Sequence, residues 1–250
     1  MKKSGNTILV TGGGSGIGRA LAEAFHADGN TVIVAGRRRA ALDAVVAAAP
    51  GMIAMELDVA DPASIAAFAA AIVAAHPALN VVVNNAGIMR AEAIPAAPKN
   101  LADAEAMVAT NLLGPIRLTA ALLPHLVARP EASILNVSSG LAFVPLAATP
   151  TYSATKAALH SWSMAIRRQL AATSVEVIEI APPYVQTELT GAHQAVDPRA
   201  MPLAEFIAEV MDLLRADPTP SEVIVGRCAP LRWAERDGTL PQVFEMLAGH

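Results

Sequence analysis

The sequence predicts an α/β fold with one doubly wound, mainly parallel sheet of about seven strands and helices on both faces. Strand-like and helix-like segments alternate along the chain, which is the pattern of right-handed βαβ crossovers. The strand-like segments are nearly continuous runs of Val, Ile and Leu, as expected where both faces of a strand are buried. At 250 residues the chain fits one large domain, and no linker interrupts it.

The first half of the chain reads as four strands separated by three helices. In the first helix apolar residues recur at three- and four-residue spacing, and Gly29 ends it. Pro50 and Gly51 stop the second helix, and Pro62 begins the third, in the first turn where proline is favoured. The predicted strands span residues 6–11, 31–36, 52–59 and 79–87, and the predicted helices span residues 17–29, 39–49 and 62–76.

The second half adds a long helical region, a helix around Tyr152 and three more strands. Residues 191–201 are polar and contain Pro198, with Pro202 just beyond them. This composition predicts a mobile loop before a short helix. The helical region is predicted at residues 101–128, and the strands at residues 132–139, 175–182 and 221–226.

Composition and charge argue against several classes of protein. The formal net charge is −4 and there is no basic stripe, which gives little support for nucleic-acid binding. The longest uninterrupted apolar run, residues 65–75, is shorter than the roughly 20 residues of a membrane-spanning helix. The start lacks the long apolar region of a secretory signal. A single cysteine, Cys228, excludes an intramolecular disulfide, and we expect a cytoplasmic protein.

The clearest motif is TGGGSGIG, residues 11–18, between the first strand and the first helix. Glycines permit a tight turn and let a pyrophosphate approach backbone N–H groups, while the helix N-terminus favours negative charge. Its place after a strand and before a helix predicts a dinucleotide-binding loop in a Rossmann-type sheet. The loop residues predicted to bind the dinucleotide are Gly12, Ser15, Gly16, Ile17 and Gly18.

The end of the second strand bears on the choice of dinucleotide. An acidic residue there would bind the adenosine ribose and favour NAD, but the sequence has Gly36 followed by Arg37 and Arg38. A guanidinium group can pair with a 2′-phosphate in a bidentate manner. We therefore expect NADP(H) to be preferred, with NAD(H) possible. The alternative is that both arginines simply face solvent.

Tyr152 and Lys156 are four residues apart on a predicted helix and therefore share a face. The ordinary pKa of tyrosine, about 10, is too high for easy proton exchange at neutral pH. A nearby ammonium group favours the phenolate, and Lys156 is expected to lower the pKa of Tyr152. Tyr152 could then exchange a proton with a carbonyl or alcohol oxygen. The structural alternative is a tethered tyrosine beside a lysine whose charge reaches water.

Four motifs together resemble the short-chain dehydrogenase/reductase family. TGGGSGIG, NNAG (84–87), NVSS (136–139) and YSATK (152–156) occur in the order and spacing of that family. The resemblance covers the chain from Thr7 to about Leu189 and implies a fold and an activity. The C-terminal tail is also similar to a bacterial subgroup typified by the oxidoreductase of D-alanyl-lipoteichoic-acid operons.

The resemblance implies roles for the catalytic candidates. Tyr152 would be the acid/base, and Lys156 would also bind the nicotinamide ribose. Ser139, thirteen residues before Tyr152, would bind the substrate oxygen, while Ser138 is expected to be structural. Asn111 would hold a water that relays protons towards the lysine; its alternative is a polar residue that bends the helix.

The same resemblance extends to the dinucleotide path. Asp58 and Val59 are expected to contact the adenine, and Asn84, Ala86 and Gly87 to line the path; for Asn84 a structural turn is the alternative. After the sixth strand the sequence is PPYVQTEL, with Pro183 where the family usually has glycine. Proline removes an N–H and stiffens this loop. The remaining candidates for the cofactor in this loop are Pro182, Val185 and Thr187, the last with a helix N-cap as its alternative.

The expected function is an NADP(H)-preferring carbonyl reductase or alcohol dehydrogenase acting on a partly apolar small molecule. The substrate walls are expected at residues 89–101, 140–149 and 184–201, where several large apolar side chains lie. Residues 1–137 would mainly bind the dinucleotide, and residues 138–250 would carry the catalytic helix, the substrate loop and the tail. One rival is a non-catalytic dinucleotide-binding redox sensor, and another is a sugar-nucleotide epimerase or dehydratase. By family analogy we expect a homodimer or homotetramer, and the spacing of His, Cys and Asp predicts no metal site.

Overall fold

The computed structural model describes residues 1–96 and 101–248. Its core is a sheet of seven strands in which every neighbouring pair is parallel. The strands are β1 (Thr7–Thr11), β2 (Thr31–Gly36), β3 (Ile53–Glu56), β4 (Leu79–Asn84), β5 (Ala132–Val137), β6 (Val175–Ala181) and β7 (Glu222–Ile224). They lie in the order β3-β2-β1-β4-β5-β6-β7. The order in which strands are added to the sheet therefore reverses between β1 and β4, which is where ligands bind in such sheets.

Helices cover both faces of this sheet. They are α1 (Gly16–Ala27), α2 (Arg39–Ala48), α3 (Pro62–Ala75), α4 (Ala102–Val108), α5 (Gly114–Val127), α6 (Pro150–Gln169), α7 (Ala192–Ala195), α8 (Leu203–Leu214), α9 (Ala229–Arg232) and α10 (Leu240–Ala248). One apolar layer joins the sheet to α1, α2 and α8, and the other joins it to α3, α5 and α6. Alternate residues of each strand enter opposite layers: Ile8 lies in the first and Leu9 in the second. The predicted fold class is confirmed.

Most strands are shorter than the apolar runs predicted. The prediction extended the fourth strand to residue 87 and the fifth to residue 139, whereas β4 ends at Asn84 and β5 at Val137. Beyond these points the backbone leaves the sheet. The residues that follow form turns at the carboxyl edge, where they are free to contact a ligand.

One row of polar residues crosses the sheet within the layer under α5 and α6. Asn84, Asn136, Glu179 and Glu222 are register partners on four consecutive strands. The Nδ2 group of Asn84 donates to Oδ1 of Asn136 at 2.8 Å. The first three members of the row are buried, so their polar atoms need partners inside the protein.

The predicted helix over residues 101–128 is interrupted. A π-helical turn, Ala109–Leu113, separates α4 from α5. Pro115 has no N–H, so the α-helical hydrogen bond to the Asn111 carbonyl cannot form, and the Gly114 N–H bonds instead to the Ala109 carbonyl five residues back. Such turns are frequent at functional sites.

Residues 102–127, taken together, are long and apolar enough to cross a membrane by length and composition alone, since an 18-residue window within them has a mean hydropathy of 1.4. The core helix of a globular protein passes the same test. Here Met107, Leu118, Leu122 and Leu126 are fully buried within the protein, and α5 packs against α3, β4 and β5. The stretch is therefore accounted for as a core element.

Candidate active site

A cleft of about 890 Å³ runs along the carboxyl edge of the sheet. It contains every predicted site residue except Asn84 and Asn111. The predicted residues that line it are Gly12, Ser15, Gly16, Ile17, Gly18, Arg37, Arg38, Asp58, Val59, Ala86, Gly87, Ser139, Tyr152, Lys156, Pro182, Val185 and Thr187. Segments that are up to 175 residues apart in the sequence thus meet in one cleft.

The glycine loop is a cradle that side chains would fill. Gly12 has a φ of +66°, and a Cβ there would lie 2.9 Å from the Cα atom of Ala86. A Cβ on Gly18 would overlap the side-chain amide of Asn85 and lie 2.5 Å from the Gly12 carbonyl oxygen. The side chain of Ser15 does not cap α1, which leaves N–H groups of the first turn available. This cradle fits a pyrophosphate.

The far end of the cleft carries two cations. Nη2 of Arg38 donates to Oγ of Ser15 at 3.0 Å, which joins the end of β2 to the glycine loop. Within residues 1–96 and 101–248 no ion pair involves Arg37 or Arg38, whereas Arg39 pairs with Asp43. The Arg38 guanidinium beside the Ser15 hydroxyl, with Arg37 also lining the cleft, forms an arrangement that can hold a phosphate.

The NNAG motif divides its residues between the core and the cleft. Asn84 does not line the cleft in the described part of the chain; its amide binds Asn136 and Thr119 inside the sheet layer. Asn84 therefore has a structural role at the end of β4, where the prediction placed it on the dinucleotide path. Asn85, which the prediction did not include, lines the cleft and donates from Nδ2 to the Thr11 carbonyl at 2.9 Å.

Ser139, Tyr152 and Lys156 meet at the inner end of the cleft. Tyr152 and Lys156 are nearly fully buried in α6, and the Lys156 ammonium lies 5.6 Å from the centre of the Tyr152 ring. Nζ of Lys156 donates to the Val137 carbonyl at 2.8 Å. The side chain of Ser139 lies close enough to the Tyr152 phenol to lower the pKa of that group. The helix and the end of β5 thus bring together all three groups.

The expectation that Lys156 lowers the pKa of Tyr152 below its ordinary value is wrong. Burial raises the pKa of Tyr152 to about 12, and only the Ser139 side chain acts in the other direction. Burial also lowers the pKa of Lys156 to about 8, against the raising effect of the Glu179 charge. Because loss of water penalises both ionised forms, the phenol is fully protonated at neutral pH.

The two adjacent serines point to different places. Oγ of Ser138 donates to Oε1 of Glu179 in the interior, whereas Ser139 faces the cleft and also accepts a hydrogen bond from the Leu141 N–H at 3.1 Å. Both serines line the cleft, but the Ser138 hydroxyl is bonded to Glu179, so contact of Ser139 with the substrate stays the prediction.

Asn111 lies behind the cleft rather than on it. Its Oδ1 accepts from the Ile88 N–H at 2.9 Å, and its Nδ2 donates to the Ile88 carbonyl at 2.8 Å. A longer bond, 3.3 Å, joins Nδ2 to Oγ1 of Thr155 on α6. The side chain therefore fixes the backbone after NNAG. The water relay implied by the resemblance stays a prediction.

The loop after β6 keeps its predicted positions and gains an anchor. Pro182, Pro183 and Thr187 line the cleft. No motif singles out Gln194, yet Gln194 is buried and donates from Nε2 to the Val185 carbonyl at 2.8 Å and to Oγ1 of Thr187 at 3.0 Å. Gln194 thereby holds the loop against the cleft.

The expected apolar substrate wall is only partly placed. Val185 and Leu189 of the predicted wall line this cleft. Seven other large apolar residues of the wall do not line it within the described residues: Met89, Ile94, Leu141, Phe143, Val144, Leu146 and Tyr184. Val144 is fully buried, and Phe143 packs edge-on against His160. Residues 97–100 of the predicted wall, including Lys99, lie outside the described residues. Arg90 lines the cleft, whereas Glu92 binds the backbone and hydroxyl of Thr151.

A buried polar cluster behind the catalytic helix was missed by the sequence reasoning. His160, Glu179 and Glu222 lie on α6, β6 and β7, and ligand atoms of all three are within 4.8 Å of one another. His160 bonds to Glu179 at 2.7 Å, and Glu222 pairs with Arg232 at 2.6 Å. The one available signal was a glutamate within the apolar strand VEVIEIA.

The buried charge of Lys156 should make stability depend on pH. Because the pKa of Lys156 falls from its ordinary 10.5 to about 8 in the folded protein, the unfolded chain binds more protons between these values. Folding stability therefore rises with pH in that window. Lys156→Met lacks this dependence, and its stability advantage over the wild type should shrink by up to about 3 kcal/mol from pH 8 to 10.5. Denaturant unfolding of both proteins measures this, and parallel pH curves would contradict it.

The cleft joins a glycine loop suited to a dinucleotide to a serine, a tyrosine and a lysine at its inner end. An α/β fold with this site is typical of a class of nicotinamide-dependent oxidoreductases. Comparison with known families makes the class specific. Residues 6–197 match the family model described as short chain dehydrogenase. The chain belongs to the short-chain dehydrogenase family.

Individual relatives agree with this assignment. The chain is 41% identical over 250 residues to the uncharacterized oxidoreductase DltE of Bacillus subtilis, covering 99% of this chain and 98% of that protein. It is 35% identical over 176 residues to the NADP-dependent 3-hydroxy acid dehydrogenase YdfG of Salmonella typhi, covering 70% of this chain and 71% of that protein. A crystal structure of a short chain dehydrogenase from Burkholderia cenocepacia in complex with NADP matches with a TM-score of 0.83 and 26% identity, over 99% of both chains. The similarity to DltE supports the subgroup suggested by the C-terminal tail.

Proposed function

We propose that this protein is an NADP(H)-preferring carbonyl reductase or alcohol dehydrogenase. The observation that carries the proposal is the meeting of Ser139, Tyr152 and Lys156 at the inner end of the cleft that begins at the glycine loop. The nicotinamide, when bound, supplies or accepts the hydride at the substrate carbon. Residues 1–137 provide most of the dinucleotide cradle, and residues 138–250 provide the proton-transfer groups and the substrate side.

Each catalytic group has a task that its surroundings support. In reduction the Tyr152 phenol donates its proton to the carbonyl oxygen as hydride reaches the carbon, so that the alcohol forms without a free alkoxide. The raised pKa keeps this proton in place at neutral pH. The Ser139 hydroxyl, which lines the cleft beside the phenol, orients the same substrate oxygen. The buried Lys156 ammonium stabilises the phenolate left behind and holds the nicotinamide ribose.

The proposed cofactor preference rests on Arg37, Arg38 and Ser15, all of which line the cleft. The Arg38–Ser15 contact places a guanidinium and a hydroxyl together at the ribose end of the cleft, and Gly36 provides no carboxylate to repel a phosphate. The NADP complex of the Burkholderia protein and the NADP dependence of YdfG are consistent with this preference.

Arg38→Ala is expected to weaken NADPH binding on the order of tenfold and to leave NADH binding unchanged, since a charge-assisted bond to the 2′-phosphate is lost. Arg39→Ala is the matched control, because Arg39 pairs with Asp43 on the helix surface. Fluorescence titration with both dinucleotides measures the change. Equal weakening of NADPH and NADH by Arg38→Ala would contradict a 2′-phosphate site.

The test of the function itself is oxidation of NADPH with a panel of ketones and aldehydes of increasing apolar size. Turnover that requires both dinucleotide and carbonyl supports the proposal. Tight dinucleotide binding without turnover on any member of the panel would favour the redox-sensor alternative.

On the family resemblance we also expect a homodimer or homotetramer, which sedimentation velocity measures. Val127 on α5 and Met164 on α6 are exposed apolar residues that such contacts would cover.

A further inference from the structure

Glu179 is a carboxylate in the core of the protein. It lies on β6 between α6 and β5, and none of its surface is exposed. Within the proposed mechanism it touches neither substrate nor dinucleotide. A buried carboxylate is costly unless it is hydrogen-bonded and balanced by an opposite charge. Glu179 lies in a strand whose other buried residues are all apolar. The presence of a carboxylate at this position therefore needs a physical reason.

Both oxygens of Glu179 are held by hydrogen bonds. Oγ of Ser138 donates to Oε1, and Nδ1 of His160 lies 2.7 Å from Oε2. An ionised carboxylate can only accept, so both partners donate. No arginine or lysine forms an ion pair with Glu179 within residues 1–96 and 101–248. Both carboxylate oxygens are therefore hydrogen-bonded, and the contact with His160 is an ion pair only when the imidazole is protonated.

Two short paths connect Glu179 to Lys156. His160 lies one turn after Lys156 on α6, on the same face of the helix, and binds Oε2 of Glu179. Nζ of Lys156 binds the carbonyl of Val137, and the next residue, Ser138, binds Oε1. The Lys156 ammonium and the Glu179 carboxylate are thus buried neighbours, linked through Val137 and Ser138 on one side and through His160 on the other.

We propose that Glu179 is the counter-charge that keeps the Lys156 ammonium protonated, and that Ser138 and His160 hold the carboxylate in position for this purpose. Glu179 is then a positioning residue that acts through Lys156. Its consequence for catalysis rests on the proposed function, whereas the electrostatic pairing does not.

The other ionisable groups around Glu179 are already paired or are kept neutral. Glu222, its register partner on β7, pairs with Arg232, and Arg167 is bonded to backbone carbonyls of Val177 and Ser221. Burial, with a further contribution from the Glu179 charge, raises the pKa of the Cys228 thiol to about 12. Arg232 therefore balances Glu222. Lys156, together with His160 when the imidazole is protonated, is the cation that remains for Glu179.

A divalent cation at His160, Glu179 and Glu222 is the competing interpretation. The ligand atoms of these three residues are close enough to bind one ion. However, His160 is in direct contact with Glu179, and Arg232 forms an ion pair with Glu222. A metal ion would have to displace both contacts. The hydrogen-bonded arrangement favours the counter-charge.

The pairing matters because Lys156 is close to losing its proton. Burial alone lowers the pKa of Lys156, and the Glu179 charge raises it again, with the balance at about 8. Without the carboxylate, the pKa of Lys156 would fall further and a larger fraction of the amine would be neutral. A neutral amine could neither stabilise the Tyr152 phenolate nor favour an anionic dinucleotide.

The test uses the small number of lysines in the chain, which are Lys2, Lys3, Lys99 and Lys156. In protein labelled with 13C-lysine, the Cε signal of Lys156 is assigned from Lys156→Met and titrated by NMR. In Glu179→Gln we expect the pKa of Lys156 to fall by about one unit. The matched control is Glu222→Gln, which removes the neighbouring carboxylate and should shift Lys156 much less. An unchanged Lys156 titration in Glu179→Gln, or equal shifts in both variants, would overturn the proposal.

A reciprocal measurement covers the case in which Glu179→Gln does not fold. Two interacting groups shift each other equally, so the Glu179 pKa should rise in Lys156→Met, as followed by its 13Cδ signal. No change in Glu179 would overturn the proposal. Neither titration needs a substrate, so a shift of Lys156 without any carbonyl turnover would support the pairing and count against the proposed function.

Discussion

Tyr152→Phe is expected to lower the rate of carbonyl reduction on the order of 10³-fold while leaving NADPH affinity almost unchanged. The substitution removes only the hydroxyl, and with it the proton that the phenol donates to the substrate oxygen. The ring remains in α6, 5.6 Å from the Lys156 ammonium, and the packing is preserved. Single-turnover oxidation of NADPH, with dinucleotide affinity measured separately, distinguishes loss of chemistry from loss of binding.

The chain provides a matched control, because it has only one other tyrosine, Tyr184. That residue is 42% exposed, and its hydroxyl donates to Asp197 at 3.2 Å. Tyr184→Phe removes the same atom at the surface of the substrate loop, and we expect it to keep most of the activity. Equal rates for the wild type and Tyr152→Phe would exclude Tyr152 as the proton donor.

Gly18→Ala is expected to weaken dinucleotide binding by more than about tenfold and to destabilise the fold by about 1–3 kcal/mol. The added methyl group would overlap the amide of Asn85 and press on the carbonyl oxygen of Gly12 at 2.5 Å. Since Asn85 anchors the Thr11 carbonyl, relief of this overlap must move the loop. The measurements are NADPH titration and denaturant unfolding.

Gly14→Ala is the control for this substitution. A Cβ on Gly14 would lie 3.3 Å from the Cβ of Ala41 and 3.5 Å from Leu42, which small shifts can accommodate. We expect near wild-type affinity for this variant. If Gly14→Ala weakened binding as much as Gly18→Ala, loop flexibility rather than the close approach at Gly18 would explain both effects.

Local pattern was enough to predict much of the fold, the glycine loop and the Tyr152–Lys156 pair, whereas the family resemblance predicted most of the other residues that line the cleft. Apolar runs and glycine or proline boundaries predicted the seven strands, and the carboxyl ends of parallel strands had to share one edge. Tyr152 and Lys156 could be paired because helical spacing alone places them on one face. Such inferences need no knowledge of how distant segments pack.

The parts that failed depend on contacts between distant segments. Whether Asn84 or Asn85 faces the cleft depends on where β4 ends, and the sequence runs through both without a break. The direction of the Tyr152 pKa depends on how completely α6 is covered. The contact between His160 and Glu179 depends on the register of β6 against its neighbours, which spacing along one chain does not reveal.

The polar row of Asn84, Asn136, Glu179 and Glu222 also bears on how the sheet selects its pairing during folding. Strands made of Val and Ile could slip along one another at small cost, because one branched side chain packs much like the next. A one-residue slip of β6 turns every side chain to the opposite face and would place the Glu179 carboxylate in the apolar layer beneath α8. There it would have neither Ser138 nor His160, at a cost of several kcal/mol. The same glutamate that faces the catalytic helix thus discriminates against the wrong alignment of its own strand.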